Sequence, residues 1–181
     1  VLRLNASGRY GEGAGQAWSI GGFFHHYETG LPGQTIATNL SADFLWEGED
    51  LPIQLHLGEE SGLRGYEARA LSGTKRVRFN VEDRIPLPLE IWSFRFGLAA
   101  FFDAGTVWDR GESFEWSQVK KSVGAGLRLG SVPFLGRHVV RIDFAYPFDE
   151  VEGTSGGLTV TVTSGQVFTL FQNPEGLSKE F

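Results

Sequence analysis

The chain has no cysteine and no methionine. Without thiols, disulfides and thiolate metal sites are excluded, which fits a periplasm-crossing protein and also the many cytosolic proteins that lack cysteine. Methionine is missing even at the first position, where Val1 stands. The natural chain is therefore expected to begin upstream, with a signal peptide or whole domains ahead of it. Long apolar runs are missing too. The most apolar stretch, 91–102, is interrupted by Arg95, and no run of about eighteen apolar residues is available for a transmembrane helix. Nor is there a basic excess: 16 Lys+Arg stand against 22 Asp+Glu, which leaves no electrostatic footprint for nucleic acid. Helical periodicity is scarce. What is abundant is glycine (25), with fifteen Phe, five Trp and four Tyr, in 181 residues that suit one domain.

Alternation at period two runs through the chain. Trp92, Phe94, Phe96, Leu98, Ala100 and Phe102 take every second position, with Ser93, Arg95, Gly97, Ala99 and Asp103 among those between. Successive side chains of a strand point to opposite faces, so one face is continuously apolar and the other small, polar or charged. The same pattern sets Val77, Phe79 and Val81 against Arg76, Arg78, Asn80 and Glu82, and Val140, Ile142, Phe144 and Tyr146 against Arg141 and Asp143. Leu158, Val160 and Val162 alternate with Thr159, Thr161 and Thr163, and Leu40, Phe44 and Trp46 with Asn39, Ser41 and Asp43.

Two environments produce such strands. In a soluble sandwich the apolar face meets a second sheet; in a membrane barrel it meets lipid while the polar face lines a lumen. Strand length favours the barrel, because several runs reach about ten residues, the number a tilted strand needs to cross the hydrocarbon layer. Aromatic placement agrees: Trp18, Trp46, Trp92, Trp108 and Tyr146 lie near strand ends, where amphipathic rings suit the membrane interfaces. The pattern predicts strands over 1–10, 16–27, 34–46, 51–58, 74–85, 91–106, 118–130, 138–147 and 157–168. Connections 28–33, 59–73, 109–119 and 148–156 then lie on one side, and 11–15, 47–50, 86–90 and 131–137 on the other. The expected organisation is a barrel segment over 1–171, with a tail over 172–181 whose Asn173-Pro174-Glu175-Gly176 breaks strand pairing.

Several features read as structural. Adjacent His25 and His26 face opposite sides of a strand and do not chelate one metal. Gly11-Glu12-Gly13-Ala14-Gly15 has no following helix and reads as a turn, not a phosphate cradle. No Ser-His-Asp set or carboxylate pair has catalytic spacing, so neither an enzyme nor a cofactor is expected. The arginines on the polar face, Arg76, Arg78, Arg84, Arg95, Arg128 and Arg141, either bind an anion or pair with neighbouring carboxylates.

The longest connection carries Gly62-Leu63-Arg64-Gly65-Tyr66, which resembles the Arg-Gly-Tyr/Phe lid motif of the bacterial surface antigen superfamily. That superfamily includes BamA and TamA assembly proteins, two-partner secretion transporters such as FhaC, and patatin-linked outer-membrane barrels. Four further segments match in order: Asn80-Val81-Glu82-Asp83-Arg84-Ile85-Pro86-Leu87, Phe101-Phe102-Asp103-Ala104-Gly105-Thr106-Val107-Trp108, Ser122-Val123-Gly124-Ala125-Gly126-Leu127-Arg128 and Arg141-Ile142-Asp143-Phe144-Ala145-Tyr146-Pro147. Clear resemblance covers 51 to about 168.

The resemblance implies an antiparallel transmembrane β-barrel in a bacterial outer membrane, with a lid over 59–73 folded into the lumen. It implies that Arg64 pairs with Glu82 and Asp103, which the alternation places on the lumen face. It also implies a weak seam bordered by the last strand, here Gly157, Leu158, Val160, Val162, Gly165 and Phe168. Family barrels have sixteen strands, so about nine indicate either the C-terminal half of a larger barrel or a shortened relative. Family members usually end on an aromatic residue, whereas ten residues follow Phe171 here. Three functions fit: an insertase or secretion transporter, a passive barrel anchoring a patatin-type lipase, and a soluble β-sandwich binding module. For the first, the partners are outer-membrane lipid, unfolded outer-membrane or secreted clients, and periplasmic accessory domains, lipoproteins or a second copy, with no nucleic acid.

Overall fold

Period-two alternation over long runs produces long strands. The structure, a computed structural model, describes residues 2–10, 16–29, 33–47, 54–92, 94–131, 139–151 and 156–164. Its strands are β1 (Leu2–Tyr10), β2 (Gln16–Glu28), β3 (Thr35–Glu47), β4 (Leu55–Leu57), β5 (Leu71–Gly73), β6 (Lys75–Ile91), β7 (Phe94–Trp108), β8 (Lys120–Ser131), β9 (Val139–Pro147) and β10 (Thr159–Ser164). Eight of them form one antiparallel sheet in the order β1-β2-β3-β6-β7-β8-β9-β10, and β4 with β5 makes a separate two-stranded ribbon. Each sheet strand pairs with the next one in sequence. Among the described residues β1 and β10 remain the sheet's edges. The fold is all-β and antiparallel, consistent with part of a barrel, and among the described residues the sheet does not close into one.

The two faces are inverted relative to a water-soluble sheet. Asn39, Asn80, Glu82, Asp103 and Ser122 are completely buried, while Leu40, Leu98, Leu127, Phe144, Tyr146 and Val160 are exposed on the other face. A soluble sandwich would bury the apolar face against a second sheet. Here the β4–β5 ribbon packs against β6 and β7, and it does so on the polar face, where Leu57 meets Gly105. The inversion has exceptions. Asp83 takes an outward position between Ile36 of β3 and Ala100 of β7, and its Oδ1 has no hydrogen-bond partner among the described residues.

Three expectations need correction. The strand expected over 51–58 does not enter the sheet; its described part pairs as Leu55↔Gly73, His56↔Ser72 and Leu57↔Leu71 within the lid. Its leucines serve a local core, with Leu57 fully buried beside Leu63 and Tyr66. Removing that strand changes the parity of the meander, so the β1–β2 connection joins the lid side and the β2–β3 connection lies opposite. Residues 86–90 are not a turn either. β6 continues through them with a register shift between Pro86 and Glu90, and pairing resumes at Glu90↔Arg95. Proline lacks the donor that a regular ladder needs, and the shift accommodates that loss within the strand.

Candidate functional site: a buried arginine lock beneath the lid

The lid is built by local turns before it meets the sheet. Gly58 N–H donates to Ser61 Oγ at 2.8 Å, and Ser61 Oγ donates back to the Gly58 carbonyl at 3.1 Å. Leu63 N–H returns to the same carbonyl at 2.8 Å. The chain then reverses at Gly62 (φ +93°) and Gly65 (φ +89°), a left-handed conformation that costs an L-residue roughly 1–2 kcal/mol. These two reversals bracket Leu63 and Arg64. Leu63 joins Leu57 and Tyr66 in a small core that Ala70, Leu71, Val107 and Val151 cover, while Arg64 reaches the sheet.

There the guanidinium is fully engaged. Its Nε and Nη2 donate to the two oxygens of Asp103 at 2.7 and 2.9 Å, and Nη1 donates to Glu82 Oε2 at 2.6 Å. The Arg64 backbone N–H adds a contact to Asp103 at 3.3 Å. Arg64 is 3% exposed, and both acids are at 0%. Burial alone would pull the arginine pKa down; the bonds and charges of Asp103 and Glu82 outweigh it and push the pKa above its ordinary value. The group is a permanent cation. Beneath it lies Phe101 of β7, with the guanidinium carbon 3.4 Å from the ring centroid.

Asparagines orient the acid. Asn80 Nδ2 contacts Asp103 Oδ1 at 2.8 Å and the Gly62 carbonyl at 2.6 Å, and Asn39 Nδ2 donates to Asn80 Oδ1 at 3.1 Å. The charge network extends across the remaining strands. Arg84 donates to Glu82 at 2.8 Å, Arg128 reaches Glu82 at 3.2 Å and Asp143 at 2.5 Å, and Asp143 also lies 3.8 Å from Arg64. Arg128 and Arg141 stand directly opposite each other in β8 and β9, a repulsive placement that the shared Asp143 offsets. Arg141 then bonds Thr163 of β10 at 2.6 Å.

The lid backbone is tied down as well. Tyr66 donates its hydroxyl to the Lys121 carbonyl of β8 at 2.8 Å, and Thr159 of β10 donates to the Gly65 carbonyl at 3.4 Å. Small residues make room: a Cβ at Gly105 would meet Leu57 at 2.8 Å, and one at Gly124 would strike the Phe101 ring.

A family description, the Omp85 superfamily domain, matches residues 21–168. The chain belongs to the Omp85 superfamily. No curated protein matched the chain. Members of the superfamily are bacterial outer-membrane proteins concerned with outer-membrane protein assembly and secretion, and they interact with membrane lipids and client proteins.

On this Omp85 chain the structure brings Gly62, Leu63, Arg64, Gly65 and Tyr66 together with Glu82 and Asp103. Of the seam residues, Val160 and Val162 lie in β10 and are exposed, Leu158 is exposed just before it, and Gly157 is half-buried. Gly165 and Phe168 lie outside the described residues. The arginines of the polar face have local partners: Arg76 with Asp43 at 2.7 Å, Arg95 with Glu90 at 3.2 Å, and Arg78 with the Ser61 carbonyl. His26 lies 3.8 Å from Glu28, with both side chains more than half exposed. Among the described residues no group of three or more His, Cys, Asp or Glu could hold a metal. Sequence reasoning missed Phe101, Asn80 and Asp143 as members of the lock. Parity alone puts Phe101 with Ala99 and Asp103 on the buried side of β7, without saying why a ring belongs there.

Proposed function

We propose that this chain is the lid-bearing barrel portion of an outer-membrane transporter that inserts or translocates proteins without covalent chemistry. The observation that carries this reading is Arg64, buried between Glu82 and Asp103 beneath the lid, in a network that reaches Thr163 of edge strand β10. In this reading the polar face lines a lumen and the lid occupies it. An unpaired strand edge is a template for another strand, so β10 offers its backbone to a client. The lid, bonded to Thr159 through Gly65, is in position to feel that engagement. The apolar outer face meets outer-membrane lipid, and unfolded barrel or secreted proteins are the clients.

Reconstitution tests it. The full-length parent, placed in liposomes with an unfolded β-barrel client or a secreted passenger, should accelerate client insertion or passenger translocation. Arg64→Ala should reduce that activity while the parent's heat-modifiable folded band persists. A folded parent that accelerates neither would overturn the transporter reading and leave a passive membrane anchor.

A further inference from the structure

Two lid-side connections lean in opposite directions. The lid folds onto the polar face, whereas the next connection, 109–119 between β7 and β8, leans over the apolar one. Trp108 ends β7 on the outward parity of Leu98 and Phe102, and Phe114 of the connection packs edge-on against it, with centroids 5.5 Å apart at 72°. Trp116 stacks edge-on against Phe114 at 4.9 Å and 87°. Behind Trp108 stands Phe44 of β3 at 6.5 Å, and Phe44 neighbours Trp46 at 6.3 Å. Five aromatic rings thus run in series from the outer face of β3 to the tip of a loop.

We propose that residues 109–119 form a membrane-surface anchor, with Phe114 and Trp116 seated in the lipid headgroup zone on the lid side. The occupant is lipid because the ladder is continuous with the exposed apolar face. Trp46 at its inner end is 46% exposed, and Trp116 at its tip is 80% exposed. Water is a poor solvent for such a row, whereas the interface accepts a ring's apolar body and an indole N–H together. The loop backbone serves the same end. Glu115 is extended (φ −125°, ψ 127°), and alternation at an extended residue turns its carboxylate away from the side shared by Phe114 and Trp116. Glu112 bonds the Asp109 N–H at 3.0 Å, and Gly111 adopts φ +94°, so the loop closes on itself instead of trailing into solvent.

The proposal rests on the apolar face being lipid-facing, and the experiment separates the two ideas. This chain has no cysteine, so in a parent with any other cysteines replaced by serine each variant is labelled at one site. Leu98→Cys, Glu112→Cys and Trp116→Cys variants of the full-length parent would each carry an environment-sensitive fluorophore. They would be folded into phosphatidylcholine vesicles containing lipid nitroxides, placed near the headgroup or near the chain end. The expected result is loss of fluorescence at 98 with the deep nitroxide, and loss at 116 with the shallow one that exceeds the loss at 112. If Trp116→Cys gives no heat-modifiable folded band, the difference in intrinsic quenching between wild type and Trp116→Phe provides the same readout. Deep quenching at 98 with no more quenching at 116 than at 112 overturns the anchor and leaves the barrel reading intact. No quenching at 98 overturns both.

Discussion

The Arg64 guanidinium lies on the Phe101 ring, its carbon 3.4 Å from the centroid, while Glu82 and Asp103 take its N–H groups. A cation over a ring in a desolvated site gains about 2 kcal/mol, and the planar group meets the flat ring and the two acids at once. Arg64→Ala leaves two buried carboxylates without their shared cation, a loss of about 3–5 kcal/mol for a buried pair. The lid should therefore undock while the strand ladder survives. Chymotryptic cleavage after Tyr66, which is 1% exposed in the docked lid, is expected to rise sharply over its rate in the wild type. Arg64→Lys should rescue poorly, because an ammonium neither forks between two acids nor stacks as guanidinium does.

Gly124 is the space into which Phe101 fits. A Cβ there would strike the ring and the Phe144 carbonyl, so Gly124→Ala must displace Phe101 from beneath Arg64. Overpacking of this kind costs about 1–3 kcal/mol. The same protease assay should show partial lid release, smaller than in Arg64→Ala, with Arg64, Glu82 and Asp103 all still present.

Asp83 faces outward amid apolar neighbours, with one carboxylate oxygen unpartnered among the described residues. An acid toward the bilayer centre is unfavourable, so Asp83→Leu should stabilise the folded barrel by roughly 1–3 kcal/mol. Denaturant unfolding of the parent in vesicles measures this. Unchanged or reduced stability would mean that the carboxylate faces something other than hydrocarbon.

Tyr66 links the lid to the rim through the Lys121 carbonyl. Burial, with the nearby Asp149 charge adding to it, raises the phenol pKa above its ordinary value. A raised pKa means that the docked lid holds the proton more tightly than the free lid. Docking is then unaffected below the free tyrosine's pKa of about 10 and weakens as pH climbs through the docked value. Tyr66→Phe should lose about 0.5–1.5 kcal/mol for the hydrogen bond and should remove this alkaline step from the cleavage profile after residue 66.

The faces of the long strands were legible because period two carries through them: Leu98, Phe102 and Phe144 against Asp103 and Asp143 needed no partner to be read. The arginine at the lid tip was legible as part of an ordered motif set. Leu55 and Leu57 misled because three alternating residues carry the same pattern in a lid hairpin as in a sheet strand. Pro86 and Pro88 misled in the opposite sense, since a register shift let β6 run on past them. Phe101 was hidden by its chemistry: a large apolar ring on a polar face makes sense only when the cation that covers it is known.

The lid ties together strands that are not neighbours. Asn80 of β6 holds the Gly62 carbonyl, and Thr159 of β10 holds that of Gly65. Three residues of chain span at most about 11 Å between those two carbonyls, and the two side chains supply the rest of the reach. The lid is thus a short tether laid across β6 to β10, anchored at one end in the Arg64 lock and at the other on an edge strand. On the proposed reading, a change of grip at Arg64 is expected to be felt at β10, where a new strand would join.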